Sequence, residues 1–159
     1  PSPTTSRSSR SAGSPDVTPV EERFRIQGAP EELASVLDRI EALVLEQGLS
    51  PDLASEMRLV AEEALTNVLH HAYEPQEKTA VEVTLRVEAA EVRLLFRDRG
   101  RAFNPLESGS PRFDLPVEQR PLGGLGIHLI KTLTDEQIYS REGEENVLVL
   151  VKRRASLPL

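Results

Sequence analysis

The sequence contains no cysteine. That excludes a disulfide framework, a thiolate zinc site and a cysteine nucleophile. It also fits an intracellular, cytoplasmic location. Tryptophan is absent too, and three histidines argue against a multi-histidine metal site. No run approaches 18 apolar residues, so no transmembrane helix is expected and the membrane is not a partner. The N-terminus lacks an apolar stretch of the kind a signal peptide needs. Positive charge is in deficit, with 19 Lys and Arg against 26 Asp and Glu and a net charge of −7. This balance argues against direct nucleic-acid binding over the whole surface and leaves open only a local basic patch. What is present is ordinary: 159 residues, 28% charged and 38% hydrophobic, enough for one globular domain.

Residues 1–20 differ in composition from the rest. Thirteen of the twenty are Ser, Thr or Pro. Such a segment cannot bury enough apolar surface to offset its ordering entropy, and reads as a disordered tail or linker. The chain begins with Pro, which fits a piece cut from something longer. Residues 21–155 read as one folded domain and 156–159 as a short tail.

Within the domain the period of the apolar residues changes several times. Glu22 to Gln27 alternates as a strand does. Gly28 to Glu32 turns into a helix, with Pro30 in its first turn and acids near the positive end of its dipole. Leu33, Val36, Leu37, Ile40, Leu43 and Val44 follow at helical spacing. Ser50 and Pro51 start a second helix as N-cap and first residue, ending near Tyr73. Val81 to Val87 and Val92 to Phe96 then alternate, joined by a tight turn at Ala89-Ala90. Asp98 to Gly124 has no period; so long an irregular loop in a small domain is usually functional or mobile. Gly126 to Leu133 reads as a helix, and Gln137–Glu142 and Asn146–Arg153 as closing strands. The order β-α-α-β-β-loop-α-β-β predicts an α+β two-layer sandwich, a mixed, mostly antiparallel sheet with helices on one face.

Three islands can carry chemistry. Glu63 and Asn67 are four apart on the second helix and share one of its faces, where a carboxylate and a carboxamide suit a hard cation and a nucleophile. Asp98-Arg99-Gly100 follows a strand directly, and Gly there lets a ligand approach the backbone. Gly123-Gly124-Leu125-Gly126 opens a helix, where free N–H groups and the dipole favour phosphate. Taken singly, each has a plain alternative: the solvent side of a helix, a surface turn, a glycine hinge. No Walker A or dinucleotide fingerprint is present.

Taken together and in this order, the islands resemble the ATP site of the gyrase, heat-shock, histidine-kinase and mismatch-repair (GHKL) ATPase superfamily, with its Bergerat-type fold. The closer resemblance is to bacterial anti-sigma-factor serine kinases. Glu63 to Tyr73 is similar to that group's N-box, Asp98 to Pro105 to its first glycine box and Gly123 to Ile130 to its second. Asn146-Val147-Leu148 with Lys152 is similar to its closing strand. The resemblance implies the cofactors ATP and Mg2+, with Asn67 ligating Mg2+ and Glu63 acting as general base toward an attacking serine. It implies that Asp98 accepts from the adenine amine, that Gly100 lets the base approach, and that Gly124 and Gly126 hold phosphates. Ala102, Phe103, Gly123 and Leu125 complete the implied nucleotide-binding set, under a lid of about residues 103–122. Some family kinases carry an Arg just before the second glycine box. Here Leu122 and Gly123 stand there, and Arg120 and Lys131 are each a phosphate contact or a surface charge.

The implied partners are a STAS-domain anti-sigma-factor antagonist as substrate, a sigma factor, and a second copy of the chain in a homodimer. Alternatives stay open: a catalytically weak ATP-binding partner-switching module of a larger bacterial regulator, or the ATPase domain of a dimeric machine. His70 and His71 follow the N-box without any separate phosphoacceptor helix, which argues against histidine autophosphorylation. His128 is expected to be packed or capped.

Overall fold

A computed structural model describes residues 18–71, 80–107, 109, 111, 113–116, 118 and 124–154. Most of the N-terminal segment read as a tail, 1–17, and residues 155–159 lie outside these. The chain runs β1 (Val20–Ile26), α1 (Pro30–Glu46), α2 (Pro51–His71), β2 (Val81–Val87), β3 (Glu91–Asp98), one 3-10 turn (Pro105–Glu107), α3 (Leu125–Leu133), β4 (Glu136–Glu142) and β5 (Glu145–Arg153). Val20, counted above with the tail, is therefore the first residue of β1.

The two long helices start as their sequences dictate. The Glu32 carboxylate reaches back over the first turn of α1 and accepts the N–H groups of Gln27 (2.9 Å) and Ala29 (3.3 Å). Ser50 Oγ accepts the Leu53 N–H at 3.2 Å and caps α2. The helix continues to His71; Tyr73, where it was expected to end, lies outside the described residues.

The five strands form one sheet in the order β1-β2-β3-β5-β4. Every pairing between them is antiparallel, where a mixed, mostly antiparallel sheet was expected. The reason lies in the connections. β1 and β2 are joined through two antiparallel helices, which return the chain to the edge it left, while β2–β3 and β4–β5 are hairpins.

Alternation places Val81, Val83, Leu85 and Val87 of β2 and Val92, Leu94 and Phe96 of β3 on one face, all buried. They form a single core with Ile40 and Val44 of α1, Met57, Val60 and Leu65 of α2 and Ile127 and Ile130 of α3. Burying each such side chain contributes about 1.5–3 kcal/mol. The opposite face carries exposed ion pairs such as Arg86–Glu21 and Arg97–Glu142. Pairs of that kind contribute about 0.2–1 kcal/mol, so apolar contact between the layers holds the fold together.

Candidate active site

Asp98 occupies the last position of the apolar row Val92, Leu94, Phe96 on β3. The alternation that buries those three turns its carboxylate under the helices, where it is 5% exposed. Oδ1 accepts two hydrogen bonds, from the Gly100 N–H (2.9 Å) and from Asn146 Nδ2 (2.9 Å). Among the described residues no donor meets Oδ2, so that oxygen is available to accept from a ligand. Burial pushes the Asp98 carboxyl above the ordinary aspartate range, against the bonds from Asn146 and Gly100 and the charge of Arg141, which pull it down.

The strap after Asp98 is pinned at both ends. Arg141 Nη1 donates to the Gly100 carbonyl (2.9 Å), while Arg101 Nε donates to the His71 carbonyl at the end of α2 (2.7 Å). That second bond satisfies a terminal helix carbonyl with a cation. Phe103 stacks on the His71 ring with centroids 5.1 Å apart, and Ala102 is exposed on the strap between these anchors.

On α2, Glu63 and Asn67 flank the buried stripe and are each half-buried. Asn67 Nδ2 donates to the Glu63 carbonyl one turn back (2.8 Å), which commits the amide nitrogen to the helix and leaves Oδ1 as the ligand atom. A single neutral oxygen fits Mg2+ in the manner this ion prefers, with phosphate oxygens and waters supplying the rest. Burial raises the Glu63 carboxyl above the ordinary glutamate range, and the charge of Glu62 adds to the rise.

α3 brings the third island to this point. Gly124 is its N-cap with φ +86°, a left-handed conformation that glycine adopts without strain, and a Cβ there would come within 3.1 Å of the Gly109 carbonyl. Gly126, in the first turn, lies against Glu63: a methyl built on it would collide with Glu63 Oε2 and stand 3.1 Å from Cδ. The absent side chain is what lets the carboxylate sit beside the N-terminus of α3. Leu125 is 55% exposed between the two glycines.

Glu63, Asn67, Gly124 and Gly126 are thus gathered on α2 and the start of α3, while Asp98 and Gly100 stand at the end of β3. Gly123 and Arg120 lie outside the described residues. Lys131 is exposed, and its Nζ donates to the Leu106 carbonyl (3.0 Å). His128, expected to be packed or capped, is exposed and meets only the edge of Phe113 among the described aromatics. Ile127 and Ile130 hold the buried face of so short a helix instead. Three residues of the strap's anchorage had no role assigned from the sequence: Asn146, Tyr139 and Arg141. The available signal was a lone amide heading the apolar run Val147 to Val151.

The histidine kinase-like ATPase domain matches residues 26–152. The serine/threonine-protein kinase BtrW of Bordetella bronchiseptica is 31% identical over 116 residues, covering 73% of this chain and 82% of the relative. The serine-protein kinase RsbW of Oceanobacillus iheyensis is 24% identical over 117 residues, covering 71% of this chain and 74% of its own. RsbW of Bacillus mycoides is 29% identical over 125 residues, with 76% and 78% covered. Among solved structures, the RsbU and RsbW domains of Rv1364c from Mycobacterium tuberculosis share the fold. The TM-score is 0.52 at 15% identity, over 83% of this chain and 32% of that one. The span matched by the domain contains Glu63, Asn67, Asp98 and both described α3 glycines, and the chain belongs to the histidine kinase-like ATPase family, among its serine-protein kinases.

Proposed function

We propose that this chain is an ATP-dependent kinase that phosphorylates a serine of a STAS-type anti-sigma-factor antagonist, and that it binds a sigma factor as the other half of a partner switch. The observation that carries the reading is the packing of the Glu63 carboxylate against Gly126. It sets a proton acceptor beside the helix N-terminus at which phosphates are favoured. Asp98 Oδ2 supports adenine as the base, because a carboxylate oxygen accepts from an exocyclic amine and repels a carbonyl.

In the proposed reaction Glu63 takes the proton of the serine hydroxyl as its oxygen bonds to the terminal phosphorus. The bond from that phosphorus to the bridging oxygen breaks, and ADP leaves. Held by Asn67 Oδ1, Mg2+ would neutralise phosphate charge. Such transfer needs mainly positioning and charge stabilisation, so a short residue list suffices. A cytoplasmic location belongs to the same reading. Among the described residues no helix is long and apolar enough to cross a membrane. A homodimer is part of the same reading.

The second reading, a catalytically weak ATP-gated binding module, is favoured by Lys131, whose ammonium is engaged by the Leu106 carbonyl. Asn67→Ala separates the assigned site from any other. It is expected to weaken Mg-ATP binding at least about tenfold by calorimetry and to abolish transfer. Unchanged affinity and transfer would remove Asn67 from the site.

A further inference from the structure

Asn146 opens β5 directly opposite Asp98 in the antiparallel register, and is 4% exposed. Its carboxamide is saturated by the protein. Nδ2 donates to Asp98 Oδ1 (2.9 Å) and to the Arg101 carbonyl (2.9 Å). Oδ1 accepts from Tyr139 Oη (2.7 Å), Arg141 Nη1 (3.0 Å) and the Phe103 N–H (3.3 Å). Both amide protons are used, and the oxygen holds three donors, so no atom is left for a ligand.

We infer that Asn146 is a positioning residue for base selection: it fixes the rotation of the Asp98 carboxylate and the path of the 99–103 strap, so that Oδ2 alone faces the nucleotide. This rests on the reading of the site as an adenine nucleotide site. The physical reason is over-determination. Asp98 ends a strand and is followed by a loop, so its χ angles are not set by packing on both sides. One bond from Gly100 would leave the carboxylate free to present either oxygen. The bond from Asn146 removes that freedom. Tyr139 and Arg141 of β4 in turn hold Asn146, so the geometry is carried across two strand pairings. Discrimination between adenine and guanine depends on that fixity, because the amine of one base and the carbonyl of the other occupy the same place, and a mobile carboxylate can turn away from the wrong one.

The test is calorimetric binding of Mg-ATP and Mg-GTP to the full chain and to Asn146→Ala and Tyr139→Phe, each checked for cooperative melting. The wild type is expected to prefer ATP. Asn146→Ala is expected to weaken ATP binding about tenfold while changing GTP binding little, so that the preference shrinks by a similar factor. Tyr139→Phe deletes one of the five bonds without opening a sizeable cavity, and is expected to reduce the preference about two- to threefold. A folded Asn146→Ala protein with the wild-type ratio would overturn the inference. Should Asn146→Ala not fold, an unchanged ratio in Tyr139→Phe does the same. Loss of ATP and GTP affinity in equal proportion would also overturn it, since that marks a structural role only. Failure of the wild type itself to bind ATP would instead sink the underlying nucleotide reading.

Discussion

Glu63 is ionisable, half-buried and next to a second acid, and these facts fix how its chemistry responds to pH. As a base it works only when deprotonated. Burial and Glu62 both raise its pKa above the ordinary value of 4.5. The acid limb that Glu63 contributes to kcat/KM, which reports the free enzyme, therefore lies above that value, with activity rising as pH climbs through it. The stability consequence has the opposite sign. A carboxyl that holds its proton more tightly when folded favours the fold below its unfolded pKa, and loses that contribution as pH rises through the folded pKa. Glu63→Gln is thus expected to lower kcat by about 100- to 10,000-fold and to remove the limb, with no loss of melting temperature at neutral pH. A kcat/KM–pH profile of the two proteins checks this; a Glu63-dependent acid limb at or below the ordinary glutamate range would contradict it. Asp98 is raised by its own burial, and its protonation shows in kcat/KM for ATP rather than in kcat at saturation.

At the scale of elements, the site is a meeting of a helix face, a strand end and a helix start. In the proposed site α2 would supply the base and the amide oxygen, β3 the carboxylate, and α3 the first turn. The tightest junction is α2 against α3 at Gly126, where no Cβ can fit without moving Glu63. Gly126→Ala is expected to keep the helix, since alanine favours it, and to displace the carboxylate. A shift of about an ångström in a reacting group costs on the order of a hundredfold in rate. Activity should therefore fall about ten- to a hundredfold with the melting temperature unchanged or raised, measured by phosphotransfer alongside thermal denaturation.

These elements differ in how far the sequence discloses them. The shared face of Glu63 and Asn67 was legible because four residues make about one helical turn, whereas Gly124 and Gly126 suggested phosphate only through the order of the three islands, a glycine hinge being the plain alternative. Asp98 was legible as an acid ending an apolar alternation. Asn146 was not, because its role exists only through a register that joins residues 48 apart. The mostly antiparallel character was legible from the hairpins, but alternation says nothing of a distant neighbour's direction, so that every pairing is antiparallel emerged only with the structure. His128 was misplaced because a nine-residue helix anchored by Ile127 and Ile130 turns the residue directly after Ile127 outward.

The whole molecule is a sheet with helices on one face, and the candidate residues are divided between the end of β3, where Asp98 stands, and the junction of α2 with α3. The opposite face carries ion pairs such as Arg86–Glu21 and Arg97–Glu142. Such an arrangement suits a kinase whose substrate is another small protein, because the start of α3 is reached from outside the core and Glu63 stands beside it. The most direct test of the central claim is incubation of the chain with Mg2+, terminally labelled ATP and STAS-domain proteins from the same genome, with Glu63→Ala alongside. The predicted result is label on a serine of one STAS protein and none with the variant. Confirmed ATP binding in the same samples with no label on any STAS protein would contradict it and leave the nucleotide-gated binding module in its place.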